Sequence, residues 1–213
     1  MSIKAELFYK RLKDLKPRYE NLFTDLVIVP EIEADRFGIY ASEGKSKGIE
    51  LGLIRSLKDD VSWYLNYAYA EVEDNDSGRW ISRRWDQRQT VNAGITWEPG
   101  LWTFTVATGW HSGWAFTVLP PELETDTSIY IPDIRSNKRA RDYATFDVKL
   151  TRNFLLPGST LSIFVEVSNV FNRTNNGAVD YEISEEDGLY ILEEMDVDQV
   201  LPLVTSAGIL WRF

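Results

Sequence analysis

The chain has 213 residues, 33 acidic against 23 basic, and a net charge of −10, a balance that argues against nucleic-acid binding. Hydrophobic residues make up 44 %, yet mean hydropathy is −0.28 and no run of about eighteen apolar residues occurs, so helical membrane spans are excluded. With no cysteine there is neither a disulfide framework nor a thiolate metal site, while eight Trp, ten Tyr and ten Phe make the chain aromatic-rich without making it greasy.

In chain order, Ile3–Leu12 alternates Ile3, Ala5, Leu7 and Tyr9 against Lys4, Glu6, Phe8 and Lys10, the period-2 pattern of a strand that only Phe8 interrupts. Residues 13–37, with Pro17 and Pro30, read as a loop in which Leu26–Val29 could pair locally. A strand is expected over Ile39–Leu57, with Ile49, Leu51 and Leu53 on one face and Glu50 and Gly52 on the other. After a tight turn at Asp59, Val61–Glu73 alternates Trp63, Leu65, Tyr67 and Tyr69 against Tyr64, Asn66, Ala68 and Ala70. Asp74–Arg84 reads as a polar loop, and Trp85–Trp97 as the next strand.

A turn at Pro99 leads to Trp102, Phe104, Val106, Thr108 and Trp110, opposed by Thr103, Thr105, Ala107, Gly109 and His111. Val118–Arg141 is a Pro-containing loop, and Ala144, Phe146, Val148 and Leu150 then oppose Thr145, Asp147, Lys149 and Thr151. Beyond a turn at Pro157, Leu161, Ile163, Val165 and Val167 oppose Ser162, Phe164, Glu166 and Ser168. Arg173–Leu201 is an acidic loop, and the chain ends on a strand carrying Thr205, Ala207, Ile209, Trp211 and Phe213 on its greasier face.

The expectation is an all-β fold of about eight antiparallel, up-and-down transmembrane strands, most simply a partial barrel. Tight turns at Asp59, Pro99 and Pro157 alternate with long loops around Pro30, Asp76, Pro132 and Glu186, the asymmetry of periplasmic turns and outer loops. Both chain ends then fall on the periplasmic side. Lys4, Glu6, Lys10, Glu50, Asp147, Lys149, Glu166 and Arg212 share the face opposite the apolar one, where a wet lumen accepts them. Trp63, Trp97, Trp102 and Trp211 at the turn end, and Tyr69, Trp85, Trp110 and Trp114 at the loop end, form two aromatic bands.

Several stretches resemble the C-terminal barrel region of TonB-dependent outer-membrane receptors: Gly48-Ile49-Glu50, Trp85-Asp86-Gln87-Arg88-Gln89-Thr90, His111-Ser112-Gly113-Trp114, Tyr143–Asp147, Val167–Asn172 and the ending Gly208–Phe213. Their order and spacing cover nearly the whole chain. The resemblance implies a segment of a Gram-negative outer-membrane receptor importing a scarce ligand, a siderophore, corrinoid or glycan, without covalent chemistry and without a cofactor. Residues 1–213 are expected to be the last third of such a barrel, with no plug domain and no TonB-contacting segment, so TonB would act only through a missing N-terminal part. Ser206, Gly208, Trp211 and Phe213 resemble the signal that barrels present to their assembly machinery. Other expected partners are outer-membrane lipid and lipopolysaccharide.

Ligand-facing candidates are His111, Arg88, Asp147 and Glu166, lumen-side or loop-end polar residues; no catalytic residue and no metal ligand is assigned. His111 stands beside Ser112, a pairing that an outer-membrane hydrolase would use, but no third group orients it. The acidic residues from Asp180 to Asp198 do not follow a calcium-loop spacing and read as a solvated outer loop. Two basic sets, Arg83, Arg84 and Arg88, and Arg135, Lys138, Arg139 and Arg141, could meet lipid A phosphates or an anionic ligand, or simply flank the membrane. Asn169 and Asn172 read as strand-ending turn residues. The alternatives are a self-contained eight-stranded barrel with a structural or adhesive role and an outer-membrane hydrolase.

Overall fold

The computed structural model describes residues 1–21, 29–33, 36–117, 122–123, 135–175, 180–186, 189–195 and 201–213. Eight long strands form one antiparallel sheet: β1 (Ser2–Lys13), β2 (Glu43–Lys58), β3 (Val61–Asp76), β4 (Gln89–Trp97), β5 (Trp102–His111), β6 (Tyr143–Leu156), β7 (Ser159–Ser168) and β8 (Val204–Arg212). Each pairs with its neighbour in sequence, so the sheet is a pure up-and-down meander from β1 to β8. Neither β1 nor β8 has a partner on its outer edge among the described residues. The sheet is open, a partial barrel, and the self-contained closed barrel is not formed.

Register shows why the sequence alternates as it does. Leu53, Leu65, Ala93, Thr108 and Phe146 lie in one cross-strand row, and Trp97, Phe104, Leu150, Val165 and Ala207 in another. A slip of one residue in any pairing would turn a strand's apolar set to the other side. The single face so built leaves Leu51, Ile95, Trp97, Val165, Ile209 and Trp211 at 40–71 % exposure. The buried apolar side chains among the described residues are Ile39, Ala41, Ile81 and Ala115, all at the loop end. A soluble sandwich would bury this face against a second sheet; here it is presented outward as one continuous patch, the arrangement lipid requires.

Polar groups on that face are handled locally. Thr108 donates its hydroxyl to the Thr145 carbonyl at 2.7 Å, so that hydroxyl does not meet hydrocarbon unpaired. Arg152 lies 4.7 Å from the Trp102 ring centre, near the turn end, where a long cation reaches the interface. Along β3 the apolar face runs nine residues from Val61 to Tyr69 and then changes to Glu71 and Glu73, which pair with Lys47 at 2.7 Å and Lys45 at 2.9 Å. About nine to eleven tilted residues cross a bilayer, so this rung of ion pairs marks where the wall leaves the membrane on the loop side.

Several expected boundaries are corrected here. Asp74–Arg84 is not a polar loop: β3 continues to Asp76, and a short strand, Arg79–Ser82, returns along it. Ser77 (φ 51°) and Gly78 (φ 90°) make a two-residue tip of the left-handed kind that matches strand twist. The second strand begins at Glu43 rather than Ile39, and the fourth at Gln89 rather than Trp85. The loop over 13–37 contains Arg18–Asn21, which pairs with Arg36–Ile39; most of the Leu26–Val29 segment lies outside the described residues. Lys138–Arg139 pairs with Ala115–Phe116, and in the acidic region Asp180–Glu186 pairs with Leu189–Met195. Such short pairings leave no sustained period-2 pattern in the sequence, so the loop reading does not separate them from the connections around them.

Phe8, the one break in the first strand's alternation, also has a reason. On the polar face Phe8 lies over Gly48, Tyr64 over Gly94 and Phe164 over Gly208, each aromatic ring covering the glycine opposite or diagonal to it. A Cβ on Gly94 would sit 2.5 Å from Tyr64 Cε1. Gly94→Val is therefore expected to lower unfolding free energy by about 1–3 kcal/mol, as overpacking does. Most of that loss should vanish in a Tyr64→Ala background, as a double-mutant cycle by urea unfolding of the chain in lipid would read; an additive pair would refute the contact.

Candidate functional site

The polar face carries the candidate ligand residues in a descending order from the loop end. His111 pairs in register with Tyr143, Asp147 lies opposite Ala107, and Glu166 opposite Lys149. Glu166 binds Lys149 at 2.8 Å, and the ammonium sits 4.4 Å from the Phe164 ring centre. Asp147 accepts from the Asn169 backbone N–H at 2.8 Å, which holds the top of β7 against β6. Arg88 binds Glu71 and Asp86, each at 2.8 Å, and donates to the Ser82 hydroxyl at 3.1 Å. Glu71 and Ser82 both fall in register rows of the apolar face, at the membrane rung. The structure therefore places His111 and Asp147 on the polar wall near the loop end and Glu166 lower down, with Arg88 held by partners in the other face's rows.

His111 is the middle of an aromatic stack. Its ring centre is 5.0 Å from Tyr143 at an 8° interplanar angle and 5.1 Å from Trp114 at 24°; Trp114 meets Trp85 edge-on at 4.8 Å. Trp114 Nε1 donates to Gln87 Oε1 at 2.8 Å. Trp114 is thus committed to a stack with a polar-face residue rather than standing alone in a lipid-facing band. His111 Nδ1 faces the Ser112 carbonyl at 3.0 Å, and the Ser112 hydroxyl accepts from the Gln89 backbone N–H at 3.0 Å. That is strand-end hydrogen bonding, not the geometry of a base activating a hydroxyl.

Two buried carboxylates organise the loop-side end. Asp86, its side chain wholly enclosed, accepts from the Val72 backbone N–H at 2.7 Å and binds Arg88 and Arg139. Arg139 also donates to the carbonyls of Asp86 and Gly113, tying the return of the long 118–141 segment to the wall. Gly113 is required there: a Cβ would fall on the Ala140 carbonyl. Trp85, next to Asp86, takes φ 67°, a conformation that bulky residues rarely adopt and that this web of bonds holds in place.

The second node is Asp74, likewise enclosed, which binds Arg83 through one oxygen at 2.7 Å and Arg18 and Arg135 through the other at 2.6 and 3.2 Å. Burial is the main influence on Arg135 and holds its pKa below the usual arginine value. Outside the strands, Asp142 accepts from Trp110 Nε1 at 2.8 Å and pairs with Arg173 at 2.9 Å; the Trp110 bond first, then Arg173, holds its carboxyl below the ordinary range. Of the two basic sets open to a lipid, ligand or membrane-flanking reading, Arg83, Arg88, Arg135 and Arg139 are thus all partnered by buried acids. Nothing in the sequence brings Arg18 to Asp74, 56 positions apart, and neither residue was singled out there. Asn169 (φ 50°) bonds the carbonyls of Arg173 and Leu201, each at 2.9 Å, as a residue turning the chain out of β7 would. Among the described residues no group of three or more acidic or histidine side chains could hold a metal ion.

In the terminal strand, Ser206 lies opposite Glu166, and Gly208 lies beneath Phe164. Trp211 lies opposite Leu161 on the apolar face, and Phe213, fully exposed, meets it edge-on at 6.4 Å.

An up-and-down antiparallel sheet with one continuous exposed apolar face, one polar ion-paired face and its longer connections gathered at one end is the wall of a membrane-spanning β-barrel. The sequence profile described as TonB dependent receptor-like, beta-barrel matches residues 2–170, and the chain belongs to that family. The family is one of outer-membrane receptors that act in transport rather than in catalysis, and the outer membrane is the location it implies. No curated protein matches the chain.

Proposed function

We propose that the chain forms part of the wall and outer vestibule of a receptor that imports a scarce ligand, a siderophore, corrinoid or glycan. The observation that supports this best is the sorting of the structure by height. Below the Lys47–Glu71 rung the sheet presents an apolar face to lipid; above it, buried carboxylates hold loops and aromatic rings at the mouth of the polar face. In this reading the loops face outward, both chain ends face the periplasm, and outer leaflet lipopolysaccharide surrounds the rung. TonB would act through a plug and a contacting segment that residues 1–213 do not resemble, and the assembly machinery would read Ser206, Gly208, Trp211 and Phe213.

The test is accumulation of ferric siderophores, cobalamin and oligosaccharides by cells that do or do not produce the intact receptor. One class should accumulate only in producing cells and only with TonB present; no difference for any class would remove the import reading. On intact cells an epitope at Ser77–Gly78 should bind antibody and one at Asp59–Asp60 should not, the reverse result inverting the orientation.

A further inference from the structure

Arg135 is the anomaly of the loop-side wall. Its side chain is 1 % exposed, yet Nε and Nη1 have no hydrogen-bond acceptor among the described residues. A guanidinium carries five donors, and a buried charged donor left without an acceptor is costly, so such groups are normally satisfied. The available acid is oversubscribed. Arg135 Nη2 reaches Asp74 Oδ2 at 3.2 Å, but Arg18 holds the same oxygen at 2.6 Å and Arg83 holds the other at 2.7 Å. Asp76 stands 3.8 Å from Arg135 Nη1, beyond hydrogen-bond reach, and Glu20 is engaged by Arg18 at 3.2 Å. Three guanidiniums therefore share one enclosed carboxylate, with the most deeply buried of them short of acceptors.

The node also has a side. Leu12, Gly44, Asp74 and Ile81 form one register row, and that row belongs to the polar face. Lipid phosphates, which gather against the apolar face, are on the other side of the wall. Arg18 and Arg83 are 32 % and 28 % exposed, so the outer two guanidiniums of the cluster meet water.

We propose that this cluster is an oxyanion site, in which Arg135, with Arg18 and Arg83, takes a phosphate or carboxylate group of a water-borne ligand at the mouth of the polar face. The proposal rests on the receptor reading and adds to it the chemistry of the ligand: an oxyanion rather than a purely neutral molecule. The site competes with Asp74 for its cations, which makes affinity adjustable by that one residue.

Calorimetric titration of the full chain in detergent with inorganic phosphate, at constant ionic strength, tests it. Saturable binding at one site is expected. Arg135→Gln should weaken it at least tenfold, and Asp74→Asn, which releases three guanidiniums, should tighten it, while Arg55→Gln at the turn end should leave it unchanged. Should Arg135→Gln lose its strand content by circular dichroism, Arg135→Lys, which keeps the charge without the planar donors, is expected to show the same loss of affinity. Lipopolysaccharide micelles should not displace phosphate; displacement would overturn the placement on the polar face. Titrations that fail to saturate for both the unaltered chain and Asp74→Asn, or equal affinities for Arg135→Gln and the unaltered chain, would overturn the site. That result would leave any measured uptake standing, whereas phosphate binding without uptake of any ligand would leave the site and remove the import reading.

Discussion

Asp86→Ala is expected to destabilise the loop-side end of the wall by about 3–5 kcal/mol, the cost of removing one partner from a buried ion-pair cluster. The replacement strips acceptors from Arg88, Arg139 and the Val72 backbone N–H together; Asp86 itself is wholly enclosed, while Arg88 and Arg139 keep 22 % and 34 % of their side-chain surface in water. Asp86→Asn keeps an oxygen for Val72 but not the charge, and should fall between the two. Urea unfolding of the chain in lipid measures the loss. Limited proteolysis should localise it, with cleavage of the 118–141 segment appearing before any change in the membrane-spanning strands. A loss under about 1 kcal/mol would mean that the cluster is a surface-like set of pairs despite its burial.

Deletion of Phe213 tests a different property. The residue is wholly exposed, lies beyond the last paired residue of β8 and meets Trp211 edge-on, so removing it costs the assembled sheet little. Its value, if Trp211 and Phe213 form an assembly signal, is to be seen by another protein before the sheet is in the membrane. The deletion is thus expected to reduce outer-membrane levels of the receptor several-fold while leaving the unfolding midpoint of refolded protein unchanged. Normal membrane levels would refute the signal, and a lowered midpoint would show that Phe213 acts through stability instead.

The two experiments separate parts of the molecule that differ in how far the residues themselves reveal them. Below the ion-pair rung, sequence reading and structure coincide strand by strand, because alternation is a direct imprint of a sheet with different solvents on its two faces. Even Phe8, which breaks the alternation, sits in a strand, and what it answers to is Gly48 on the neighbouring one. Above the rung the sequence pattern misleads: Asp74–Arg84 reads as a loop although Arg79–Ser82 pairs back on Glu73–Asp76, and nothing in residues 13–37 announces the pairing of Arg18–Asn21 with Arg36–Ile39. Those segments bury charged and apolar side chains together, Asp74 and Glu20 beside Ile39 and Ile81, so no apolar–polar alternation marks them, and only the Asp76-Ser77-Gly78-Arg79 turn chemistry announces the first of them.

The candidate site shows the same divide. His111 and Asp147 could be placed on the polar face by counting residues along a strand. That His111 is stacked between Tyr143 and Trp114, and that Asp147 is engaged by Asn169, could not, because those partners come from other segments. Basic residues near the loop end were visible as charge and open to either a ligand or lipid reading. Their partners, Asp74 and Asp86, become hubs only when chain segments up to 61 positions apart meet.

What the sequence by itself determined is the class of object: antiparallel strands, their number, the face each residue takes and the side on which the long connections lie, since each follows from local alternation and turn chemistry. The tertiary structure decided the rest. It left the sheet open, carried the wall past the membrane on paired charges, and gathered arginines from three distant segments around one carboxylate, because pairing edges and buried charge balance depend on which segments meet in space.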